Sequence, residues 1–400
     1  MLLNEERARR LMDHYKVDAL IASSPENVTY ASGYPAPYGC VSNAEFLVVL
    51  PRDEKITPVV VSSKVSVDLF VAADSWIKDL KLYGEFFVFD SGMAGVDEEV
   101  WSPLERRYAQ VLRESKVETD MLEALKQALE ERGLLDARLG LDEMGFGPVE
   151  FRRIESSLPR ARIVPGYHIF RMIRMVKTEE SIEKLRKAAR INEKGVLAVL
   201  NLLDAGKTEK EMWEVYQETV RREGGIPYHA IFSGGRQGFV VNKAPSDYVF
   251  KNGEAVKLDI DCIYADHYAD MAVTAVIGKP SKKLSDYHQA LRAGLLKGQE
   301  VIRPGITPAV VFKAVIEEVR ENGIPHYSRH HVGHGLGLQC YDIPLMSVNN
   351  EIELEEGTVF NIEIPYYEIG FGCVHVEHTF LVTKTGCERF QKMSTELKCV

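Results

Sequence analysis

Two stretches of this chain alternate apolar and polar residues, break at a short turn-forming centre, and carry acids among the apolar positions. They are LDIDCIYADHYADMAVTAV (258–276) and NIEIPYYEIGFGCVHVEHTFLV (361–382). A period of two interrupted by a turn predicts a β-hairpin in each. With turns at Tyr264–Ala265 and near Gly370, Asp259 faces Asp270 and Glu363 faces Glu377. Directly opposed strand residues have Cβ atoms about 4.5–5.5 Å apart. Two bare carboxylates about 4 Å apart repel by roughly 4 kcal/mol at an effective dielectric of about 20. Acids held this way inside apolar strands must bind cations or take up protons. Two such pairs point to metal.

The bulk of the chain is compatible with that reading. Four hundred residues, 45% of them hydrophobic, can bury a large core, and the length predicts two domains. A formal charge of −10, with no basic stripe, argues against nucleic acid as a partner. Cys40, Cys262, Cys340, Cys373, Cys387 and Cys399 show no CxxC spacing and no disulfide framework. The opening MLLNEERARRLMDHY is charged from its fourth residue and does not read as a signal peptide. No apolar run approaches the roughly 20 residues that span a bilayer. The expectation is a soluble cytoplasmic protein with reduced thiols and no membrane association.

Residues 1–168 alternate helix and strand patterns, which predicts an α/β domain. A charged helix over Asn4–Tyr15 leads into the strand DALIAS, the turn SSPEN, and strands in AEFLVVLP, TPVVVSS and DLKLYGEFFVF. Helices are expected near 103–115, 119–132 and 147–157, with RLGLDE a strand between the last two. IFRMIRMVKT (169–178) is the junction, and residues 169–400 form an α+β second domain of long helices and hairpins. Thr178 caps a helix reaching Leu203, and Thr208 with Glu211 makes a T-x-x-E capping box for the next. A third runs from Ser285 to Val301, and Thr307-Pro308 opens a fourth with proline at its first position.

His334 lies in HHVGHGLGLQC, where glycines 333, 335 and 337 let the backbone pack closely and aim the imidazole. Four carboxylates and one imidazole suit Mn, Co, Fe or Zn at a two-metal site better than a cysteine-type structural zinc. Asp261 shares the strand face of Asp259. It reads equally as a further metal ligand, a group hydrogen-bonded to a ligand, or one bonded to nearby backbone.

These residues resemble the pita-bread metallopeptidases of the creatinase, aminopeptidase P and prolidase family, which includes the methionine aminopeptidases. The Asp–Asp spacing, the GHGxGL context and the Glu–Glu spacing match the family's ligand series. The resemblance therefore implies that Asp259, Asp270, His334, Glu363 and Glu377 hold two divalent ions. It also implies that His330, which opens an H-x-x-GHG signature, is catalytic. SSPENVTYASGY is similar to the family's creatinase-like N-terminal domain, and RMVKTEESIEKLRKAARIN to the opening helix of its catalytic domain. SGGRQ and RPGITPAVV resemble further family segments. The implied architecture is an α/β N-terminal domain plus an α+β pita-bread catalytic domain, and the implied assembly is a homodimer.

By that resemblance Asp270 and Glu377 bridge the ions, Asp259 binds one, and His334 and Glu363 bind the other. The ions share a water of lowered pKa that attacks a carbonyl, Glu363 shuttles the proton, and His330 or Tyr341 donates to the oxyanion. The implied activity is hydrolysis of a small amide or peptide, of the Xaa-Pro dipeptidase or aminopeptidase kind. Several positions depart from the pattern. Asn242 and Tyr341 stand where peptidases carry histidines, His375 where many carry arginine, and Asp261 where glycine is usual. The usual T-R-T after the second ligand is Ala272-Val273-Thr274. Asn242, Tyr341, His375 and Asp261, with His229 before the FSGG turn, are the expected substrate-binding positions. Their departures keep a second reading open: a hydrolase or lyase of a small nitrogen- or sulfur-containing metabolite. A non-catalytic binding protein is the third.

Overall fold

The computed structural model describes residues 1–34, 46–73, 75–89 and 98–400. Cys40 and the expected start of the second strand at Ala44 lie outside the described residues. The chain divides into two compact units, Met1–Arg174 and Met175–Val400. The expected boundary at 168/169 falls inside the helix Tyr167–Met175, near whose end the units part.

The first unit is built on strands β1 (Ala19–Ala22), β2 (Phe46–Pro51), β3 (Val59–Ser63), β4 (Asp79–Tyr83), β5 (Val117–Glu118), β6 (Arg138–Leu141) and β7 (Arg162–Pro165). They form one mixed sheet in the order β5-β4-β3-β2-β1-β6-β7. Its neighbours are parallel except β1–β2 and β2–β3. Helices α1 (Glu5–Tyr15), α2 (Pro25–Ser32), α3 (Val67–Ala73), α4 (Pro103–Glu114), α5 (Met121–Glu130), α6 (Pro148–Ser157) and α7 (Tyr167–Met175) accompany it. Ile21, Leu47, Val49, Val61 and Leu139 meet Leu125 and Leu129 of α5 in the core. The α/β expectation for this part of the chain is met. Its buried acid, Asp142, is satisfied locally: the carboxylate accepts from the Ser24 hydroxyl at 2.7 Å and the Asn27 amide at 2.8 Å.

The second unit runs α8 (Glu179–Leu202), α9 (Glu209–Arg222), β8 (Ile226–Gly234), β9 (Ala255–Tyr264), β10 (His267–Val276), α10 (Lys282–Val301) and α11 (Pro308–Glu321). It continues through β11 (His334–Gly335), β12 (Asp342–Leu345), β13 (Val359–Glu368), β14 (Gly372–Val382), β15 (Cys387–Arg389) and β16 (Lys398–Cys399). The main sheet has the order β12-β11-β13-β14-β10-β9-β8. The expected caps form at α8, where the Thr178 hydroxyl accepts from the Ser181 amide, and at α9, where Thr208 and Glu211 close a capping box. Helix α10 starts earlier than expected because Ser281 caps it. At α11 the Thr307 side chain makes no cap bond, and Pro308 alone marks the start.

Helices cover one face of this sheet. Ile191, Met212 and Tyr216 of α8 and α9 pack on Phe232, Leu258, Ile260 and Met271. Leu291, Leu295, Val315 and Val319 of α10 and α11 pack on Ile362, Ile364, Val374 and Val376. Successive strand residues point to opposite faces. Fixing Leu258, Ile260, Ile362 and Val376 under the helices therefore sends Asp259, Asp261, Glu363 and Glu377 to the other side. The core dictates where the acids go.

Candidate metal centre

The first hairpin turns on Ala265 and Asp266, both left-handed with φ of 46° and 66°. Two such residues make a type I′ turn, whose twist suits a tight hairpin. Tyr264 and His267 close it, so Asp261 pairs with Asp270 and Asp259 with Ala272. The expected pairing of Asp259 with Asp270 is thus corrected: the turn lies one residue later than Tyr264–Ala265 and slides the register by two. A slip of two keeps every side chain on its face, whereas a slip of one would have reversed it. Asp259, Asp261 and Asp270 therefore still share one surface.

The second hairpin turns around Gly370, with φ of 88°, and pairs Glu363 with Glu377 as expected. Strand β14 lies against β10 with Glu377 opposite Ala272. A single row across β13, β14, β10 and β9 thus reads Glu363, Glu377, Ala272, Asp259.

His334 comes from β11, beside β13. Gly333 has φ of 144°, and a Cβ there would collide with the Asn361 carbonyl; one at Gly335 would collide with the Ile343 carbonyl. A side chain at Gly337 would meet only ordinary contacts, so two of the three glycines have a steric role. His334 Nδ1 lies 3.1 Å from the Gly335 carbonyl oxygen, which can only accept, so Nδ1 carries the proton. Nε2 is left facing Asp270 Oδ2 at 3.4 Å and Glu363 Oε2 at 3.9 Å. A histidine ligand fixed through its second nitrogen is the usual arrangement at metal sites.

Three overlapping groups emerge: Asp270 with His334 and Glu377, Asp259 with His375 and Glu377, and Asp261 with Asp270 and Cys340. Within each group the ligand atoms lie within 4.8 Å of one another. Glu377 and Asp270 each belong to two groups. Asp270 Oδ1, Asn361 Oδ1 and both ring nitrogens of His375 are buried without a hydrogen-bond partner among the described residues. Buried polar groups are normally paired. So many orphans in one place fit a site built for cations.

Electrostatics agrees. Burial, then the charge of Asp270, pushes Asp261 well above the usual carboxylate range. Burial, then Asp270, Glu363 and Asp259, does the same to Glu377. Burial works to raise Asp270 too, but the facing imidazole of His334, then Asp261, holds it below its ordinary value. Neighbouring acids driven apart in this way need protons, or cations in their place.

The metallopeptidase family M24 model matches residues 183–384, just over half of the 400-residue chain, and the creatinase/prolidase N-terminal domain model matches residues 6–176. The chain belongs to metallopeptidase family M24. A Xaa-Pro dipeptidase of Pyrococcus furiosus is 29% identical over 231 residues, covering 57% of this chain and 66% of the relative. One of Pyrococcus horikoshii is 29% identical over 262 residues, covering 65% and 74%. The match thus spans about two thirds of the first relative's length. An X-Pro aminopeptidase structure from Thermotoga maritima superposes with a TM-score of 0.77 at 21% identity, covering 99% of both chains. A Xaa-Pro dipeptidase structure from Bacillus anthracis gives 0.80 at 19%, also covering 99% of both. At that identity the likeness establishes the fold, an α/β N-terminal domain and an α+β pita-bread domain. M24 membership implies divalent metal, and the buried, unpaired oxygen and nitrogen donors fit it.

Among the expected catalytic and substrate residues the structure sorts differently from the motif. His330 is exposed and approaches the ring of His331 edge-on, with centroids 4.1 Å apart. Its neighbour His331 is buried and places Nδ1 3.0 Å from Glu363 Oε1 and Nε2 2.6 Å from the Tyr341 hydroxyl. Arg329 reaches the same Glu363 oxygen at 3.0 Å. Burial, then His330 and Arg329, lowers His331 to about 3, so it is neutral at ordinary pH. The doublet His330-His331 offered both residues, but the segment before Gly333 has no regular period from which to read burial. Tyr341 also stacks on His334, ring centroids 3.8 Å apart. His229 is exposed with Nδ1 3.7 Å from Asp261 Oδ2. Asn242 is exposed and joins none of these contacts among the described residues. His375 is buried between Asp259 and Glu377.

Proposed function

We propose that this M24 chain is a dinuclear-metal peptidase acting on dipeptides or short peptides of the Xaa-Pro type. What carries the reading is the convergence of Asp259, Asp270, His334 and Glu377 on one face of the sheet, with Glu363 opposite Glu377 and 3.9 Å from His334. Asp270 and Glu377, each shared between groups, would bridge; Asp259 would serve one ion and His334 with Glu363 the other. Two divalent ions there, Mn, Co, Fe or Zn, supply Lewis acidity for a carbonyl and lower the pKa of water.

The remaining chemistry falls to the chain itself. Glu363 is the base that takes a proton and returns it to a leaving nitrogen. Arg329 and His331 both fix its Oε1. The Gly333 N–H also donates to His331 Nδ1, at 3.3 Å, so the single N–H of the neutral ring lies on Nε2 toward the Tyr341 hydroxyl and Nδ1 is left to exchange a proton with Glu363 Oε1. His330 is too exposed to share this task. Asp261, opposite Asp270 in the hairpin, lies beside the carboxylate that would bridge the ions and helps to fix its orientation.

The second reading, a non-peptide hydrolase or lyase of a small nitrogen- or sulfur-containing metabolite, draws on three positions. The Tyr341 hydroxyl is committed to His331, His375 is buried, and Asn242 is exposed. None leaves an imidazole facing a peptide carbonyl. Metal-loaded protein assayed on a panel of Xaa-Pro dipeptides separates the two. Turnover of Xaa-Pro substrates is expected; turnover of non-peptide amides alone would transfer the assignment to the second reading. Against a third possibility, a non-catalytic binding protein, stands the presence in the sequence of all five residues that match the family's ligand series. The proposal extends to a homodimer in the cytoplasm, on the resemblance to creatinase-like proteins. No described helix is long and apolar enough to cross a membrane.

A further inference from the structure

One imidazole inside the cluster lies outside the five-residue set. His375 sits two residues before Glu377 on β14, hence on the same face, and is 1% exposed. Its Nδ1 is 3.5 Å from Asp259 Oδ2 and its Nε2 3.5 Å from Glu377 Oε2. Neither ring nitrogen has a hydrogen-bond partner among the described residues. Leaving a buried donor or acceptor unmade costs about 1–3 kcal/mol, so simple packing gives no reason for this placement. The 3.5 Å separations exceed the roughly 2.7–3.2 Å of N–H···O bonds. They match the separation, about 3.4 Å, of two donors each about 2.1 Å from one tetrahedral ion.

We propose that His375 is a direct metal ligand, completing with Asp259 and Glu377 the coordination of one of the two ions. This rests on the dinuclear reading above and goes beyond its five ligands. One ring nitrogen binds the ion while the other keeps its proton and faces the remaining carboxylate. With His334 serving the other ion, each ion then carries one imidazole. A nitrogen donor on both ions moves the site away from manganese towards metals later in the first row, cobalt and zinc among them. The competing role is an imidazolium wedged between two acids, a purely cationic task that arginine also performs.

X-ray absorption of the wild-type chain loaded with cobalt decides this without any variant. An average of one imidazole per ion is expected, and one for every two ions would overturn the inference. H375Q and H375R, confirmed folded by circular dichroism, add an affinity test. Cobalt uptake at one site should weaken on the order of 10–100-fold in both variants. Wild-type affinity for both ions in H375R would overturn the inference and leave the dinuclear reading intact. Failure of the wild-type chain to take up two ions would overturn both.

Discussion

Glu363 shows how much a single buried neighbour decides. Its Oε1 is held by His331 and Arg329, and through His331 it is linked to the hydroxyl of Tyr341. His330, the residue that matches the family signature, is exposed and one step removed. H331A is therefore expected to lower kcat by about 10²-fold or more, the range of general acid–base contributions, with metal content unchanged. H330A is expected to change kcat by no more than about twofold, as an exposed side chain away from the reacting groups does. Steady-state kinetics on metal-analysed samples checks this, and a larger loss in H330A would reverse the assignment.

The elements place these residues, and the critical one is the turn of the first hairpin. Ala265 and Asp266 occupy left-handed backbone, which Asn-Gly adopts with less strain. Replacing the pair, A265N with D266G, is expected to raise stability by about 1 kcal/mol through relief of left-handed strain, read as a higher denaturant midpoint at unchanged slope. A lower midpoint would show that the register is not set there. At this turn the sequence pattern is ambiguous. Alternation fixed which face of the strands carries Asp259, Asp270, Glu363 and Glu377, because Leu258, Ile260 and Ile362 had to meet helices. It could not choose between turns one residue apart, since both keep the acids on one face, and so it paired Asp259 with Asp270 in place of Asp261. Glycine-marked turns were legible: Gly370 gave the second register correctly. Caps at Thr178 and Thr208 were equally legible, while His331 and Cys340, on irregular backbone near β11 and β12, carried no pattern to read.

At the scale of the whole molecule, helices on one face of the second unit's sheet leave acids on the other, and the chain must live with their charge. Metal-free, Asp261 and Glu377 are pushed well above ordinary carboxylate values, first by burial and then by neighbouring acids. The sign follows directly: acids with raised native pKa favour folding fully below about pH 4, and that contribution is lost as pH rises through the raised values. Divalent ions relieve the same strain by displacing the protons. At a free concentration of about one hundred times Kd they add roughly 2.7 kcal/mol of stability. Asp259, Asp270, His334, Glu363 and Glu377 are proposed to hold two ions together. Calorimetric titration of the metal-stripped chain with a divalent cation, at neutral pH and in buffers of differing ionisation enthalpy, is the decisive measurement. Uptake saturating at two ions per chain with release of protons is predicted, and D270A should lose both ions. Two-ion uptake surviving unchanged in D270A would contradict the account.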